Sequence, residues 1–432
     1  MQTSPLPSTA LLTDHYELTM LRSALRSGAA ARRCTFEVFA RRLPHGRRYG
    51  VVAGTGRLLE AIARFRFDEP VLARLREAGT VDEATLEHLA SWRFTGDVDG
   101  YAEGEVFFPG SPVLTVTAPF GEAVLLETLV LSVLNHDSAV AAAAARMVSA
   151  SSGRPLIEMG TRRTHEEAAV AAARAAFLAG FSATSNLEAG RRHGLPTTGT
   201  SAHAFTLLHE TEEEAFAAQV AALGTGTTLL VDTYDIRRGI TTAVQVAGTG
   251  LGAVRIDSGD LAVLAHQARE QLDSLGATST RIVLSGDLDE HALAALVAAP
   301  VDAYGVGTSV VLGSGAPTAG MVYKLVDVEG RHVAKRSESK TTHGGRKVAV
   351  RRHRASGTAT EEVVSADGAP PAEPGDRALQ VPLVRGGEPV PGLAALEDSR
   401  RHLREVMVTL PWEGLALSRG EPAIPTRQLP PR

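Results

Sequence analysis

A series of short apolar runs in the middle of this chain each ends on a residue able to do chemistry. Run 155–157 ends in Glu158, 181–185 in Ser185, and 196–200 in Thr200 followed by Ser201-Ala202-His203. Run 228–231 ends in Asp232, 253–256 in Asp257, 281–284 leads to Asp287, and 301–304 to Gly305-Val306-Gly307-Thr308. Carboxylates, one imidazole, hydroxyls and bare glycine amides are the groups that hold phosphates and sugar hydroxyls, move protons, or accept a phosphoryl group. Asp, Thr and Gly also form turns, and Asp caps helices, so the argument for a site rests on the repetition.

Three of these tips carry more specific chemistry. Arg255 and Asp257 are two apart on one run, and strand alternation puts them on the same side, where they either face a ligand together or pair with each other. His203 follows a tip among small residues, where an imidazole can act as base, acid or phosphate acceptor. Gly307 and Thr308 close a glycine-bearing turn after a late run, a position suited to wrapping a phosphate. Tyr16 opens an early helical stretch with Thr13 or Asp14 as its cap, a place where an aromatic ordinarily belongs to the core. No cluster has metal-ligand spacing; a divalent ion would come with phosphate groups and one or two carboxylates, with Asp257 and Asp287 as candidates.

Alternation of strands with helices places these tips together. Stretches 166–178, 212–223, 261–275 and 289–297 have helical spacing between the apolar runs, the pattern of a parallel sheet covered by helices. The expected fold is an irregular (β/α) barrel with seven strands readable and an eighth hidden, its tips converging at one face. The flanks read differently. Helical spacing at 14–25, 54–65 and 82–92 and strands at 34–39, 98–101, 105–108 and 113–116 form an α+β domain over 1–135. A long apolar helix, 122–147, bends near 135–138. The barrel with the active site is expected over 136–325. After it, 323–326, 331–335 and 348–352 look like strands of a meander and 398–408 like a last helix, so that 326–432 completes the N-terminal domain.

Composition bounds the partners. The 432 residues carry a net charge of -5 and only short Lys/Arg runs, which gives no electrostatic footprint for nucleic acid. One cysteine, Cys34, excludes an intrachain disulfide and fits a reducing compartment. No basic leader precedes an apolar core, and the longest apolar candidate, 123–133, is short and broken by Glu127. The expectation is a cytoplasmic protein with no membrane partner.

Seven motifs, in order, resemble the nicotinate phosphoribosyltransferase family. They are Thr13-Asp14-His15-Tyr16-Glu17-Leu18-Thr19-Met20, Glu158-Met159-Gly160-Thr161-Arg162-Arg163, Gly180-Phe181-Ser182-Ala183-Thr184-Ser185-Asn186, Gly199-Thr200-Ser201-Ala202-His203, Val231-Asp232-Thr233-Tyr234-Asp235, Arg255-Ile256-Asp257-Ser258-Gly259-Asp260 and Gly305-Val306-Gly307-Thr308. The resemblance implies a type II phosphoribosyltransferase fold and the formation of nicotinate mononucleotide and pyrophosphate from nicotinate and phosphoribosyl pyrophosphate. It further implies ATP hydrolysis through a phosphohistidine at His203, and Mg²⁺ accompanying the diphosphate. On this pattern Tyr16 stacks on the pyridine ring from the neighbouring subunit of a homodimer, Thr200 and Arg255 hold nicotinate, and Gly307 and Thr308 hold the ribose 5-phosphate. Arg162 and Arg163 serve the departing diphosphate, Asp257 is the second catalytic residue beside His203, and Asp287 and Glu158 complete the substrate site. Ser182 departs from the pattern, standing where relatives often carry an aspartate.

Two rivals share parts of this reading. A nicotinamide phosphoribosyltransferase needs an acceptor for a neutral amide, which Glu158 could supply. A sugar-phosphate aldolase or isomerase needs a Schiff-base lysine or a carboxylate base at a strand tip, and no run ends in lysine.

Overall fold

The computed structural model describes residues 7–335, 343–366, 368–393 and 395–430. Its contacts divide the chain into two compact units, Met1–Ala139 with Thr318–Arg432, and Val140–Pro317.

The first unit is built on a seven-stranded sheet in the order Arg331–His332, Met321–Val328, Arg33–Ala40, Leu114–Pro119, Asp97–Tyr101, Gln380–Arg385, Glu388–Pro389. Arg33–Ala40 pairs antiparallel with both Met321–Val328 and Leu114–Pro119. Runs 323–326, 331–335 and 348–352, expected as one meander, therefore separate. The first two lie in this sheet, while Val348–His353 joins Ala359–Ser365, Arg377–Ala378 and Thr426–Gln428 in a four-stranded sheet. Helix Glu69–Glu77, not read from the sequence, carries two ordinary signals: Asp68 caps it and a proline stands in its first turn. Arg351 is fully buried and donates to Glu105 at 2.5 Å and to Glu362 at 3.0 Å.

Glu127–Ala150 is one uninterrupted helix, not a helix broken near 135–138. Its polar residues find partners without interrupting it: Asn135 exchanges hydrogen bonds with the Met321 backbone, Asp137 accepts from Arg57 at 2.7 Å, and Ser138 accepts from the Ala53 amide. With the preceding turns the helical stretch covers Phe120–Ala150, long and apolar enough to cross a membrane by length and composition, which corrects the shorter reading. Two-thirds of its most apolar window, 67%, is buried within the protein, as in a core helix.

The second unit carries a parallel sheet of six strands: β1 (Leu156–Glu158), β2 (Ala183–Thr184), β3 (Thr228–Leu230), β4 (Ala253–Ile256), β5 (Arg281–Leu284) and β6 (Ala303–Val306). Its order is β2-β1-β6-β5-β4-β3, curled as half a barrel within a mixed α/β architecture. Strands buried on both faces read as continuous apolar runs, which is why β4 and β5 coincide with the runs seen in the sequence. The run 196–200 contributes only a bridge from Thr197 to Thr184. Pro196 has no amide to give to a ladder, and its carbonyl accepts from Thr184. Among the described residues no eighth strand is found, and the hydrogen-bonded order ends at β3 and Thr197. Helices Glu166–Ala179, Glu212–Leu223, Ile236–Ala247, Leu261–Ser274 and Glu290–Ala295 connect the strands; Ile236–Ala247 was not read from the sequence.

Candidate active site

Three strand-to-helix loops of the second unit each carry two aspartates, and the structure separates their roles. Asp235, Asp260 and Asp289 cap the helices that follow, their carboxylates accepting amides of Arg238, Val263 and Ala292. Asp232, Asp257 and Asp287 stand nearer the tips and cap nothing. Asp257 and Asp287 line a cavity of about 630 Å³ whose walls also include Arg162, Arg163, Thr200, Arg255, Gly307 and Thr308. Gly286 lines it too, at φ 126°, and a Cβ there would lie 2.7 Å from the Asp257 carbonyl, so only glycine fits this turn comfortably.

Charge in the cavity is mixed. Arg255 does not pair with Asp257: its Nη2 donates to the Ser201 carbonyl at 3.2 Å, and its buried Nε has no hydrogen-bond partner among the described residues. Burial lowers the guanidinium pKa, against the pull of Asp257 and Asp232. Asp257 is instead held by Ser285, whose hydroxyl donates to Oδ1 at 2.5 Å. The turn Thr161–Arg163 presents Arg162 and Arg163. Thr308 begins a short helix, Thr308–Val311, which no side chain caps at Gly307 among the described residues.

His203 is the first residue of helix His203–Leu207, beside the cavity-lining Ala202. Its Nδ1 lies 3.1 Å from the Thr233 hydroxyl and its Nε2 3.9 Å from Asp232 Oδ1. Asp232 was visible in the sequence as a strand tip and a motif member with no role of its own, yet it is 1% exposed at the side chain and its Oδ1 has no hydrogen-bond partner among the described residues. Its Oδ2 accepts the Asp257 amide and the Ser258 hydroxyl, both at 2.9 Å. Asp232 thus lies between the histidine and the Arg255-Asp257 strand, bonded to the strand and 3.9 Å from the imidazole. No local signal announces this, because the partners are 29 residues apart in the sequence.

Two other candidates lie elsewhere. Glu158 is buried and outside the cavity lining, its oxygens taken by the Gly160 amide and the Thr184 hydroxyl, and burial raises its pKa. Tyr16 belongs to the first unit, on helix His15–Ser27 capped by Asp14, and is not part of this lining. The ring is 44% exposed, and burial of its hydroxyl with nearby Glu127 pushes the phenol up to about 12.

The profile of the nicotinate phosphoribosyltransferase (NAPRTase) N-terminal domain matches residues 11–135, and that of the nicotinate phosphoribosyltransferase (NAPRTase) family matches residues 155–361. The chain belongs to the nicotinate phosphoribosyltransferase family. Among curated members it is 64% identical to the nicotinate phosphoribosyltransferase pncB1 of Mycobacterium tuberculosis, over 97% of this chain and 95% of that protein. It is 39% identical to the Bacillus subtilis nicotinate phosphoribosyltransferase, over 79% and 73% respectively. The crystal structure of human nicotinic acid phosphoribosyltransferase superposes with a TM-score of 0.81 at 26% identity, covering 95% of this chain and 96% of that one. Within the family match, 155–361 takes in every residue of the cavity lining, while Tyr16 falls in the N-terminal match.

Proposed function

We propose that this chain is a nicotinate phosphoribosyltransferase of NAD biosynthesis, joining nicotinate to phosphoribosyl pyrophosphate, with the cavity of the second unit as its active site. The pyridine nitrogen attacks C1 of the ribose as the C1–O bond to diphosphate breaks, giving nicotinate mononucleotide and pyrophosphate. Because the centre at C1 becomes oxocarbenium-like, catalysis consists of holding the ring nitrogen in line and stabilising the leaving charge. Thr200 and Arg255 hold nicotinate, Gly307 and Thr308 the 5-phosphate, and Arg162 and Arg163 the diphosphate. Asp257 and Asp287 face the ribose hydroxyls. The finer fold is the irregular barrel of type II phosphoribosyltransferases, with 1–135, 136–325 and 326–432 as its functional segments.

The observation that carries the reading is Arg255, a buried cation with an unpartnered Nε in the cavity wall. A carboxylate makes a charge-assisted bond to such a group, about twice as strong as the bond a neutral amide oxygen makes. Glu158, the acceptor a nicotinamide would need, is already consumed outside the cavity. Among the described residues no lysine lines the cavity, which leaves a Schiff-base aldolase without support.

ATP enters through His203. Asp232 Oδ1, 3.9 Å away, is the group that would hold the Nε2 proton, and Nδ1 would exchange its contact with the Thr233 hydroxyl for the γ-phosphorus, its lone pair attacking as the bond to ADP breaks. Water then hydrolyses the phosphohistidine to inorganic phosphate, and the charge gained and lost beside the cavity couples the two reactions. Among the described residues no group of three metal-ligating side chains forms. Two carboxylates on one wall fit an Mg²⁺ carried in on diphosphate oxygens, where it would neutralise leaving-group charge. Tyr16 of the partner subunit would complete the pyridine site in a cytoplasmic homodimer. Its exposed ring, beside exposed Leu11 and Leu12, supports this assignment.

The test is pyrophosphate release from phosphoribosyl pyrophosphate with nicotinate or nicotinamide, each with and without ATP, in wild type and His203→Ala. Nicotinate-dependent release whose ATP stimulation disappears in the variant is the expected result. Release with nicotinamide alone, or none with either, refutes the assignment.

A further inference from the structure

Glu158 touches no substrate in this scheme, yet its carboxylate is 1% exposed at the tip of β1. Burying a charge there is costly unless its lone pairs are used. They are used on two sides. One oxygen accepts the Gly160 amide at 2.5 Å and the other the Thr184 hydroxyl at 2.5 Å. The Thr184 oxygen in turn accepts the Asn186 amide at 3.0 Å, and Asn186 Nδ2 donates to the Thr161 hydroxyl at 3.2 Å. The carboxylate therefore grips the turn Thr161–Arg163 twice, at its start through Gly160 and at Thr161 through Thr184 and Asn186.

Behind Gly160 stands the other phosphate-facing segment. A Cβ at position 160 would lie 2.2 Å from Val311 Cγ1 and 2.9 Å from the Gly307 carbonyl, so the turn with Arg162 and Arg163 packs directly on the segment that begins with Gly307. The Met159 amide, donating to the Val306 carbonyl at 2.8 Å, holds the same two stretches in register. The groups facing nicotinate hang from different supports. Arg255 is carried by β4 and held by the Ser201 carbonyl. Backbone bonds from Thr184 to Pro196 and Thr198, which lead to Thr200, do not involve the Thr184 hydroxyl.

We infer that Glu158 is the positioning residue for phosphoribosyl pyrophosphate: from beneath the site it fixes the turn bearing Arg162 and Arg163 against the Gly307–Val311 segment, so that the diphosphate-facing and phosphate-facing groups keep one spacing. The inference rests on the functional reading above and adds a selectivity to it. Loss of Glu158 loosens recognition of the two phosphate ends and leaves nicotinate recognition intact.

Steady-state kinetics of pyrophosphate release, with both substrates varied, test this in Glu158→Ala, Glu158→Gln and Gly160→Ala, alongside the melting temperature of each. Glu158→Ala should raise KM for phosphoribosyl pyrophosphate about tenfold or more, in keeping with the cost of sub-ångström to ångström misplacement, while KM for nicotinate stays within about twofold. Gln can accept from Gly160 and donate to the Thr184 hydroxyl, so Glu158→Gln should recover most of the loss. Gly160→Ala puts a Cβ against Val311, the Gly307 carbonyl and the Glu158 carboxylate together, and should give the same split. The two KM values rising together, a fall in kcat alone that tracks lost folded protein, or Gln no better than Ala overturns the inference. If Glu158→Ala does not fold, Gly160→Ala decides, and an unchanged KM for phosphoribosyl pyrophosphate there is equally fatal. A wild-type protein without nicotinate-dependent release would instead refute the functional reading itself.

Discussion

Asp232→Asn isolates the ATP-coupling arm from the rest of the site. Asp232 Oδ2 accepts the Asp257 amide and the Ser258 hydroxyl, so in the variant the amide oxygen must stay on that side and the NH₂ must turn toward His203. Two losses follow. The first is the charge that offsets the positive charge growing on the ring as Nδ1 bonds to phosphorus: across 3.9 Å this amounts to about 4 kcal/mol at an effective dielectric of 20. The imidazole is 41% exposed, so solvent screening brings this down to about 1 kcal/mol or less. The second is the tautomer. An NH₂ donor facing Nε2 draws that nitrogen's lone pair and moves the proton to Nδ1, where the nucleophilic pair should be. Together they should cut ATP hydrolysis and acid-labile phosphorylation of the protein by about ten- to a hundredfold. ATP-independent pyrophosphate release should remain within about threefold, since the cavity wall keeps its bonds. Rapid-quench measurement of labelled phosphate on the protein, with pyrophosphate release in parallel, gives both numbers. Equal loss of the two activities would show that Asp232 acts through the β4 tip; undiminished phosphorylation would refute the assigned proton position.

Two other outcomes follow from separate features. Arg255→Met should raise KM for nicotinate by about 10- to 100-fold, the worth of a charge-assisted bond, with a smaller change for phosphoribosyl pyrophosphate; initial rates with both substrates varied check it, and the same variant should narrow the preference over nicotinamide. Glu105 gives an acid-side signature. Burial alone would raise its carboxyl, but His402, Arg351 and Arg377 override that and hold it far below its ordinary 4.5. A depressed carboxyl contributes stability that is present above the unfolded value near 4.5 and is lost as pH falls toward the folded one. Glu105→Gln should therefore be less stable at neutral pH, by about 3 kcal/mol or more, and should converge with wild type on acidification. Melting curves that run parallel from pH 7 to 3 would contradict this.

The alternation of apolar runs with helical stretches was enough to place β4 at 253–256 and β5 at 281–284, because a strand covered on both faces reads as a near-continuous apolar run, here interrupted only by Arg255 and Arg281. It was not enough for 196–200, where Pro196 reduces an apparent strand to one bridge. The region after 318 was harder still. Its strands are allotted to two different sheets, and pairing partners such as Arg33–Ala40 with Met321–Val328 lie some three hundred residues apart.

By itself the sequence determined that polar and glycine residues would stand at the ends of parallel strands, since period and burial are written locally. Folding alone decided what each of them faces. It assigned one aspartate of each loop to a helix cap and kept the other at the strand tip, turned Glu158 beneath the site, and set Asp232 beside His203. Those outcomes depend on which groups burial brings within reach of each other, and groups that come from distant segments leave no periodic trace in the chain.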